Sequence, residues 1–334
     1  MRKKLIFFII FLVSLAATII TILYVSKDVD EPLKKITILL DWTPNTNHTG
    51  IYVAQYLGYF KDEGLAVKIE QPPQESSTAL VAAEKVEFSI GFQDFLAPAL
   101  TSDTPLPIKA IAAITQHNTS GIICKKSSNI NTAADLEFKN YCTFDNFIEI
   151  ALIKHCVNIS GGRFCKVNLI HSQTDNIAAT FNKNIDATWG YFGIESVIAK
   201  HFNIENNFLF FKDIDPVLDF YSPILISNLN FLEKQPETVK KVLKALSKGY
   251  LFAAKYPKES ADILVKCVPE LDYDIILESQ KFMSEQYVND STTWGVFNPD
   301  RWNSFFDWLF EKNIINKKII HNTSFTNEFL PGIL

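Results

Sequence analysis

Short β-type runs alternate with helical segments from residue 36 onward, and this alternation constrains the fold more than any other feature. The first strands are predicted over 36–40, 66–70 and 87–91, with helices over 51–63 and 76–84 between them. Strands that alternate with helices form a mostly parallel sheet covered by helices. The pattern therefore predicts an α/β protein.

The pattern starts again near Gly121, which predicts a second unit. Pro98, Pro105 and Pro107 predict a loop before it, followed by a strand over 108–115. The second unit is predicted as strand 122–124, helix start 132–136, strand 141–144, helix 146–158, strand 166–170, helix 175–182 and strand 186–191. Strands over 208–212 and 222–228 follow, and then helices that begin at 230, 237, 258, 273 and 299.

The chain is long enough for two lobes, with 334 residues of which 47% are hydrophobic. Two α/β units joined by more than one crossing strand predict a ligand cleft between them. We place the first lobe over 36–118 and its helical return over 213–334. The second lobe is placed over 119–212, with hinges near 115–121 and 210–222.

The N-terminus carries an export signal. Arg2, Lys3 and Lys4 precede an uncharged apolar run over 5–25, which has about the ~20 residues that cross a bilayer as a helix. We predict an uncleaved membrane anchor over 1–26, with a cleaved signal peptide as the alternative, and a charged tether over 27–35. The remainder would be extracytoplasmic. The formal net charge of the whole chain is −5, which argues against nucleic acid as a partner.

A polar loop over 41–50 follows the first predicted strand and precedes a helix. Trp42 offers an aromatic face for stacking, while Asn45, Asn47 and His48 offer hydrogen bonds. Free amides at a helix start also favour electron-rich ligand atoms. The loop therefore has two readings, a wall of a ligand site or an ordinary connection in which Trp42 is core and the amides cap the helix.

Other candidate site residues follow predicted strands, where open α/β sheets bind ligands. Trp189 and Tyr191 close the strand over 186–191, and Gln93 and Gln116 each follow a strand end that faces the presumed cleft. An amide both donates to and accepts from a heteroaromatic edge. Trp189 could instead be a core residue at its strand end.

Three tryptophans and the cysteines are assigned to structure. Trp294, Trp302 and Trp308 lie in the helical tail and are predicted to pack in the core. The five cysteines contain no CxxC pair, so a metal site is not predicted. Cys156 and Cys165 flank a turn and are either a disulfide or free thiols. No GxSxG, HExxH or Walker motif is present, so no catalytic set is predicted.

The polar loop and several later segments resemble a known family. DWTPNTNHTG at 41–50 and YFKDEGL at 59–65 are similar to the thiamine-pyrimidine-precursor (NMT1/THI5-like) substrate-binding proteins of ABC transporters. WG at 294–295, RW at 301–302 and FTNEFLP at 325–331 extend the resemblance over about residues 36–331. It implies a periplasmic-binding-protein-like fold, in which two α/β lobes joined by hinge strands close on a flat heterocycle.

The resemblance also implies site residues and partners. By position, Trp42, Asn45 and His48 belong to a wall of the first lobe, with Tyr52 as a further candidate. From the second lobe, Trp189, Tyr191 and Glu195 are placed against the ring. The expected partners are an aminopyrimidine thiamine precursor and an ABC permease with its ATPase. Riboflavin or another aromatic vitamin is the alternative ligand.

Fungal members of the family are enzymes, which gives an alternative of a different class. They use a lysine that binds pyridoxal phosphate and a nearby histidine. Gln93 stands where that lysine would be, and Ala97 stands where the histidine would be. Because glutamine cannot form a Schiff base, the resemblance favours a binding protein without a cofactor over a pyrimidine-synthase-like enzyme.

Overall fold

The structure is a computed structural model that describes residues 32–72, 76–171, 177–291 and 293–332. Chain contacts divide the protein into two units, Met1–Lys34 and Lys35–Leu334, and the second unit contains the whole α/β fold. The predicted anchor over 5–25 lies outside the described residues. Within the described ranges, no helix has the length and apolar character needed to span a bilayer.

Two five-stranded sheets form the framework; the second takes its strands from 120–210, and the first takes its strands from the chain before and after that range. The strands are β1 (Lys34–Leu39), β2 (Leu65–Glu70), β3 (Phe88–Gly91), β4 (Ile108–Ala113), β5 (Ser120–Lys125), β6 (Asn140–Thr143), β7 (Asn168–His171), β8 (Ala187–Tyr191), β9 (Asn206–Phe210) and β10 (Ile224–Asn228). The first sheet has the order β2-β1-β3-β10-β4 and the second has the order β7-β6-β8-β5-β9. This is the two-lobed α/β architecture that the sequence predicts.

Helices cover both sheets and build most of the C-terminal third. They are α1 (Thr49–Tyr56), α2 (Tyr59–Asp62), α3 (Ser77–Ala82), α4 (Gln93–Thr101), α5 (Phe147–Ile159), α6 (Ile177–Phe181), α7 (Val197–His201), α8 (Phe211–Ile214), α9 (Leu229–Lys234), α10 (Pro236–Lys255), α11 (Pro257–Cys267), α12 (Tyr273–Gln286) and α13 (Pro299–Glu311). A π-helical turn, Phe192–Ser196, lies between β8 and α7.

The sheets are mixed: most strands of each sheet run in the same direction, as expected, and one strand in each sheet runs against both of its neighbours. β1 pairs with β3 in parallel, as β6 does with β7 and β8. β10 is antiparallel to β3 and β4, and β5 is antiparallel to β8 and β9. The antiparallel strands are those that border the two segments crossing between the sheets, 114–119 before β5 and 211–223 before β10.

Two local predictions also need correction. The predicted helix over 51–63 is divided into α1 and α2 at Gly58, whose φ of 79° lies in the left-handed region that glycine adopts readily. Pro98 lies inside α4 rather than in a loop. The helix continues around it because Leu96 N–H still donates to Phe92 O, and Ser102 N–H donates to the carbonyl of Pro98 itself.

The core confirms the assignment of the three tail tryptophans. Trp294 and Trp302 are fully buried, and Trp308 is 7% exposed. The indole of Trp294 stacks on Tyr250 of α10 with ring centroids 4.5 Å apart, close to the loop over 41–50. Elsewhere Cys156 and Cys165 are both free thiols, the first buried in α5 and the second exposed.

Candidate ligand-binding cleft

The loop over 41–52, here called the first wall, is fixed by hydrogen bonds inside itself. Asn45 caps a short 3₁₀ turn by accepting from Asn47 N–H at 2.9 Å, and its own N–H donates to His48 Nδ1 at 3.2 Å. His48 Nε2 lies 2.7 Å from Asp41 Oδ1. Because Nδ1 accepts, Nε2 carries the proton and donates to Asp41. His48 is fully buried and holds the loop in shape.

The remaining candidates of the first wall have different surroundings. Trp42 is 49% exposed, so its indole is available for stacking. Tyr52 is buried in the core of the first lobe. Burial raises the pKa of Tyr52 to about 12, and the negative charges of Cys267 and Glu270 act in the same direction. Tyr52 therefore faces the end of α11, where it packs.

The strand end and turn over 189–196, here called the second wall, hold a part-buried carboxylate. Tyr191 N–H donates to Glu195 Oε2 at 2.5 Å, which folds Glu195 back beside Gly190. Burial raises the pKa of Glu195 to about 7, although the backbone N–H groups lower it in part. Trp189 packs on Phe211 with ring centroids 4.4 Å apart.

Tyr191 joins the two lobes. Its hydroxyl lies 2.9 Å from Ser222 Oγ in the second crossing segment, and its ring centroid lies 6.1 Å from that of Phe92 in the first lobe. Burial raises the pKa of Tyr191 well above its ordinary range, and the charges of Asp94, Asp41 and Glu195 raise it further. Carboxylates from both lobes therefore raise the pKa of the same side chain, Tyr191.

Asp94 belongs to this group and was missed in the sequence. It lies in the first turn of α4, directly after the end of β3, and is 6% exposed. Burial raises the pKa of Asp94 to about 7, against two backbone N–H groups that lower it. Within the described ranges, neither Asp94 nor Glu195 has a basic side chain within 4.0 Å. The signal in the sequence was an acidic residue at a strand end, which also suits an ordinary helix start.

The two predicted glutamines are engaged in structural hydrogen bonds. Gln93 is fully buried, donating from Nε2 to Trp302 O at 2.8 Å and accepting from Tyr221 N–H at 2.9 Å. Gln116 donates from Nε2 to Val296 O at 3.3 Å. Both amides thus tie the region around the crossing segments to the C-terminal part of the first lobe.

A charged cluster lies where the two crossing segments meet. His117 Nδ1 lies 2.6 Å from Asp219 Oδ2, and its Nε2 lies 3.3 Å from Asp290 Oδ1. Arg301 of α13 donates to Gln116 O and lies 3.6 Å from Asp219. The hydrogen bond that His117 donates to Asp219 raises the pKa of His117 above its ordinary value. This cluster couples the first crossing segment to the second.

The arrangement suits a flat ligand that carries N–H donors. Two carboxylates held mainly by backbone groups and lacking a cation can accept from amino groups or neutralise a positive charge. An exposed indole lies next to Asp41 in the chain and offers a face for a ring. The same charges oppose an anionic ligand.

The chain is similar to known proteins in sequence and in fold. The profile of the family described as NMT1/THI5 like matches residues 45–260. A formylaminopyrimidine-binding protein of Halalkalibacterium halodurans is 24% identical, with 89% of this chain and 91% of that protein covered. A 4-amino-5-hydroxymethyl-2-methylpyrimidine phosphate synthase of Legionella pneumophila is 25% identical, with 89% and 92% covered. The solved alkanesulfonate-binding protein of Xanthomonas axonopodis pv. citri has a TM-score of 0.67 at 11% identity, with 89% and 99% covered.

Proposed function

Since this chain belongs to the NMT1/THI5-like family, we propose that it is an extracytoplasmic solute-binding protein for an amino-substituted pyrimidine. The ligand would be a thiamine precursor, such as a formylaminopyrimidine or a hydroxymethylpyrimidine. The protein would deliver it to an ABC permease and its ATPase, tethered to the membrane by residues 5–25. The binding-protein fold and the formylaminopyrimidine-binding relative support this role.

The observation that carries the proposal is the carboxylate pair at Tyr191. Asp94 from the first lobe and Glu195 from the second both have a pKa of about 7 and lack a cationic partner among the described residues. An aminopyrimidine supplies N–H donors to both and a ring face to Trp42. Closure of the two lobes around such a ligand would select the form that a permease recognises.

The engagement of Gln93 favours binding over pyrimidine synthesis. Its amide donates to Trp302 O and accepts from Tyr221 N–H, so both of its polar atoms already have a structural role. A Schiff base with pyridoxal phosphate would need an amine at this position. Similarity to relatives named as synthases is therefore not evidence that this chain forms a Schiff base or synthesises a pyrimidine.

Calorimetry on the full-length chain in mild detergent tests the proposal. The probes are 4-amino-5-hydroxymethyl-2-methylpyrimidine, its phosphate, its analogue without the 4-amino group, and riboflavin. The unphosphorylated amino compound should bind most tightly, and its phosphate should bind at least about tenfold more weakly because carboxylates line the site. Preference for riboflavin, or binding of none of the four, would contradict the proposal.

A matched pair of variants locates the binding. Glu195→Gln should weaken the amino compound by about tenfold while changing the analogue without the amino group little, because only the former donates to the carboxylate. Asp103→Asn removes an exposed carboxylate far from the walls in sequence and serves as the control. If Glu195→Gln lowered the affinity for both ligands equally, Glu195 would not contact the amino group of the ligand.

A further inference from the structure

Helix α12 touches both walls of the proposed cleft through one buried side chain. Thr46 Oγ1 of the first wall lies 2.6 Å from Ser279 Oγ. Ser279 Oγ in turn donates to Gly193 O of the second wall. Ser279 is 2% exposed and Thr46 is 1% exposed, so water does not compete at either hydroxyl.

The direction of these hydrogen bonds follows from the chemistry of a hydroxyl. Ser279 has one O–H proton, and the carbonyl of Gly193 can only accept. Ser279 Oγ therefore accepts from Thr46 O–H, and the two hydroxyls form a directed chain that ends on Gly193. Losing the middle member would remove one hydrogen bond from the buried Thr46 hydroxyl and one from the Gly193 carbonyl, which costs more than losing an exposed bond.

The packing around Gly193 is so close that a side chain on that residue would displace a neighbouring side chain of α12. A Cβ there would lie 2.8 Å from Met283 Sδ and 3.0 Å from Phe282 Cδ1. The ring of Phe282 also lies 4.8 Å from that of Phe192. The second lobe thus packs directly on α12 at the turn that carries Glu195.

Helix α12 and the residue after it are bonded to the first wall at further points. Thr49 Oγ1 donates to Gln280 Oε1 at 2.7 Å, and Tyr287 O–H, just beyond the helix, donates to Thr46 O at 2.6 Å. These bonds make α12 part of the first lobe. Ser279 is the side chain of α12 that is bonded to both walls.

We infer that Ser279 is a positioning residue that sets the distance between the first wall and the second wall of the ligand cleft. The inference rests on the proposed function only in treating these two segments as walls of one site. Ser279 acts through Thr46 and Gly193 and does not itself contact the ligand. Its hydroxyl stabilises the arrangement in which Glu195 and Trp42 face the same ring.

Hydrogen exchange of the ligand-free full-length chain tests the positioning role directly. Ser279→Ala should raise amide exchange about tenfold in both 43–50 and 191–197. Thr46→Val should raise it mainly in 43–50, because Ser279 can still donate to Gly193. Thr46→Ser should restore the exchange of the unmodified protein because it keeps the hydroxyl.

Two further variants keep the result decisive. Ser284→Ala is the control, since Ser284 lies on the same helix and its hydroxyl donates only to its own helix at Lys281 O. Ser279→Cys fills the site with a slightly larger side chain that is only a weak donor, and it replaces Ser279→Ala if the latter fails to fold. Exchange in 191–197 that is unchanged in both Ser279 variants, or raised equally by Ser284→Ala, would overturn the inference.

A ligand experiment separates this inference from the proposed function. Dissociation of 4-amino-5-hydroxymethyl-2-methylpyrimidine should be about tenfold faster in Ser279→Ala, with little change in association, because the closed form is weakened. If the unmodified protein does not bind this probe, the proposed function fails while the exchange data still decide the role of Ser279. If it binds and the dissociation rate is unchanged, the positioning role is wrong.

Discussion

In the first wall, His48, Asn45 and Thr46 all bond within the first lobe, whereas Glu195 in the second wall accepts only from backbone N–H groups. The first wall therefore has its shape before a ligand arrives. The second wall keeps a carboxylate whose charge burial disfavours, and a ligand can supply the missing partner. The comparison suggests that the first wall provides shape and the second provides a charge that responds to the ligand.

Glycine-to-alanine changes in the two walls should give the largest difference. A Cβ on Gly50 would lie 2.5 Å from both Cδ atoms of Tyr250, whose ring is fully buried and stacked on Trp294. Gly50→Ala should lower the free energy of unfolding by more than about 3 kcal/mol. Gly193→Ala meets the flexible end of Met283 and should cost about 1 kcal/mol.

Urea unfolding of the two variants measures this difference. Gly91→Ala is the control, because a Cβ there would make only ordinary contacts with Ile226 at 3.6 Å. If Gly193→Ala lowered the free energy of unfolding as much as Gly50→Ala, the second wall would be as rigid as the first, and the proposed difference between the two walls would be wrong.

The sequence predicted the order of strands and helices and the polar loop, because these depend on local patterns. It did not predict the roles of Gln93 or Asp94, because those depend on distant residues. Gln93 bonds to Tyr221 and Trp302, which are 128 and 209 residues away in the chain. The burial of Asp94 likewise comes from packing that no local pattern reports. Ligand contact remains a prediction for every candidate residue, that is for Trp42, Asn45, His48, Tyr52, Gln93, Gln116, Trp189, Tyr191 and Glu195.

The pH dependence of stability should come from the buried carboxyls. Asp94 and Glu195 have a pKa of about 7 in the folded state, above the ordinary value of about 4 for such groups. Between these values the folded protein holds more protons than the unfolded chain, so the free energy of unfolding falls as pH rises from about 4 to about 7. Each carboxyl should contribute about 3 kcal/mol to this fall.

Asp94→Asn and Glu195→Gln should each flatten the profile in urea unfolding between pH 4 and pH 8. Asp103→Asn, at an exposed carboxyl, should leave it unchanged. A steeper profile in either cleft variant would show that the carboxylate is stabilised as an anion, and the second wall would then not be the responsive one.

Removing the exposed indole of the first wall should affect binding without affecting folding. Trp42→Ala should weaken 4-amino-5-hydroxymethyl-2-methylpyrimidine by about 1–2 kcal/mol through lost stacking, with the melting temperature nearly unchanged. Trp189→Ala should also lower the melting temperature, because Trp189 packs on Phe211. Calorimetry and thermal unfolding check both, and unchanged affinity in both variants would defeat stacking as the binding mode.

The smallest effect is expected at the charged cluster around His117, where the two crossing segments meet. Asp219 raises the pKa of His117, so the stabilisation from its protonated form is complete below about pH 6.5 and is lost as pH rises through the raised value. His117→Gln should therefore lower the free energy of unfolding by about 1 kcal/mol at pH 6 and by less at pH 9. Because His117 bonds to neither wall, hydrogen exchange in 43–50 and 191–197 should change equally or not at all. If exchange changes in only one wall, the charged cluster around His117, rather than the local hydrogen bonds of each wall, produces the difference between the two walls.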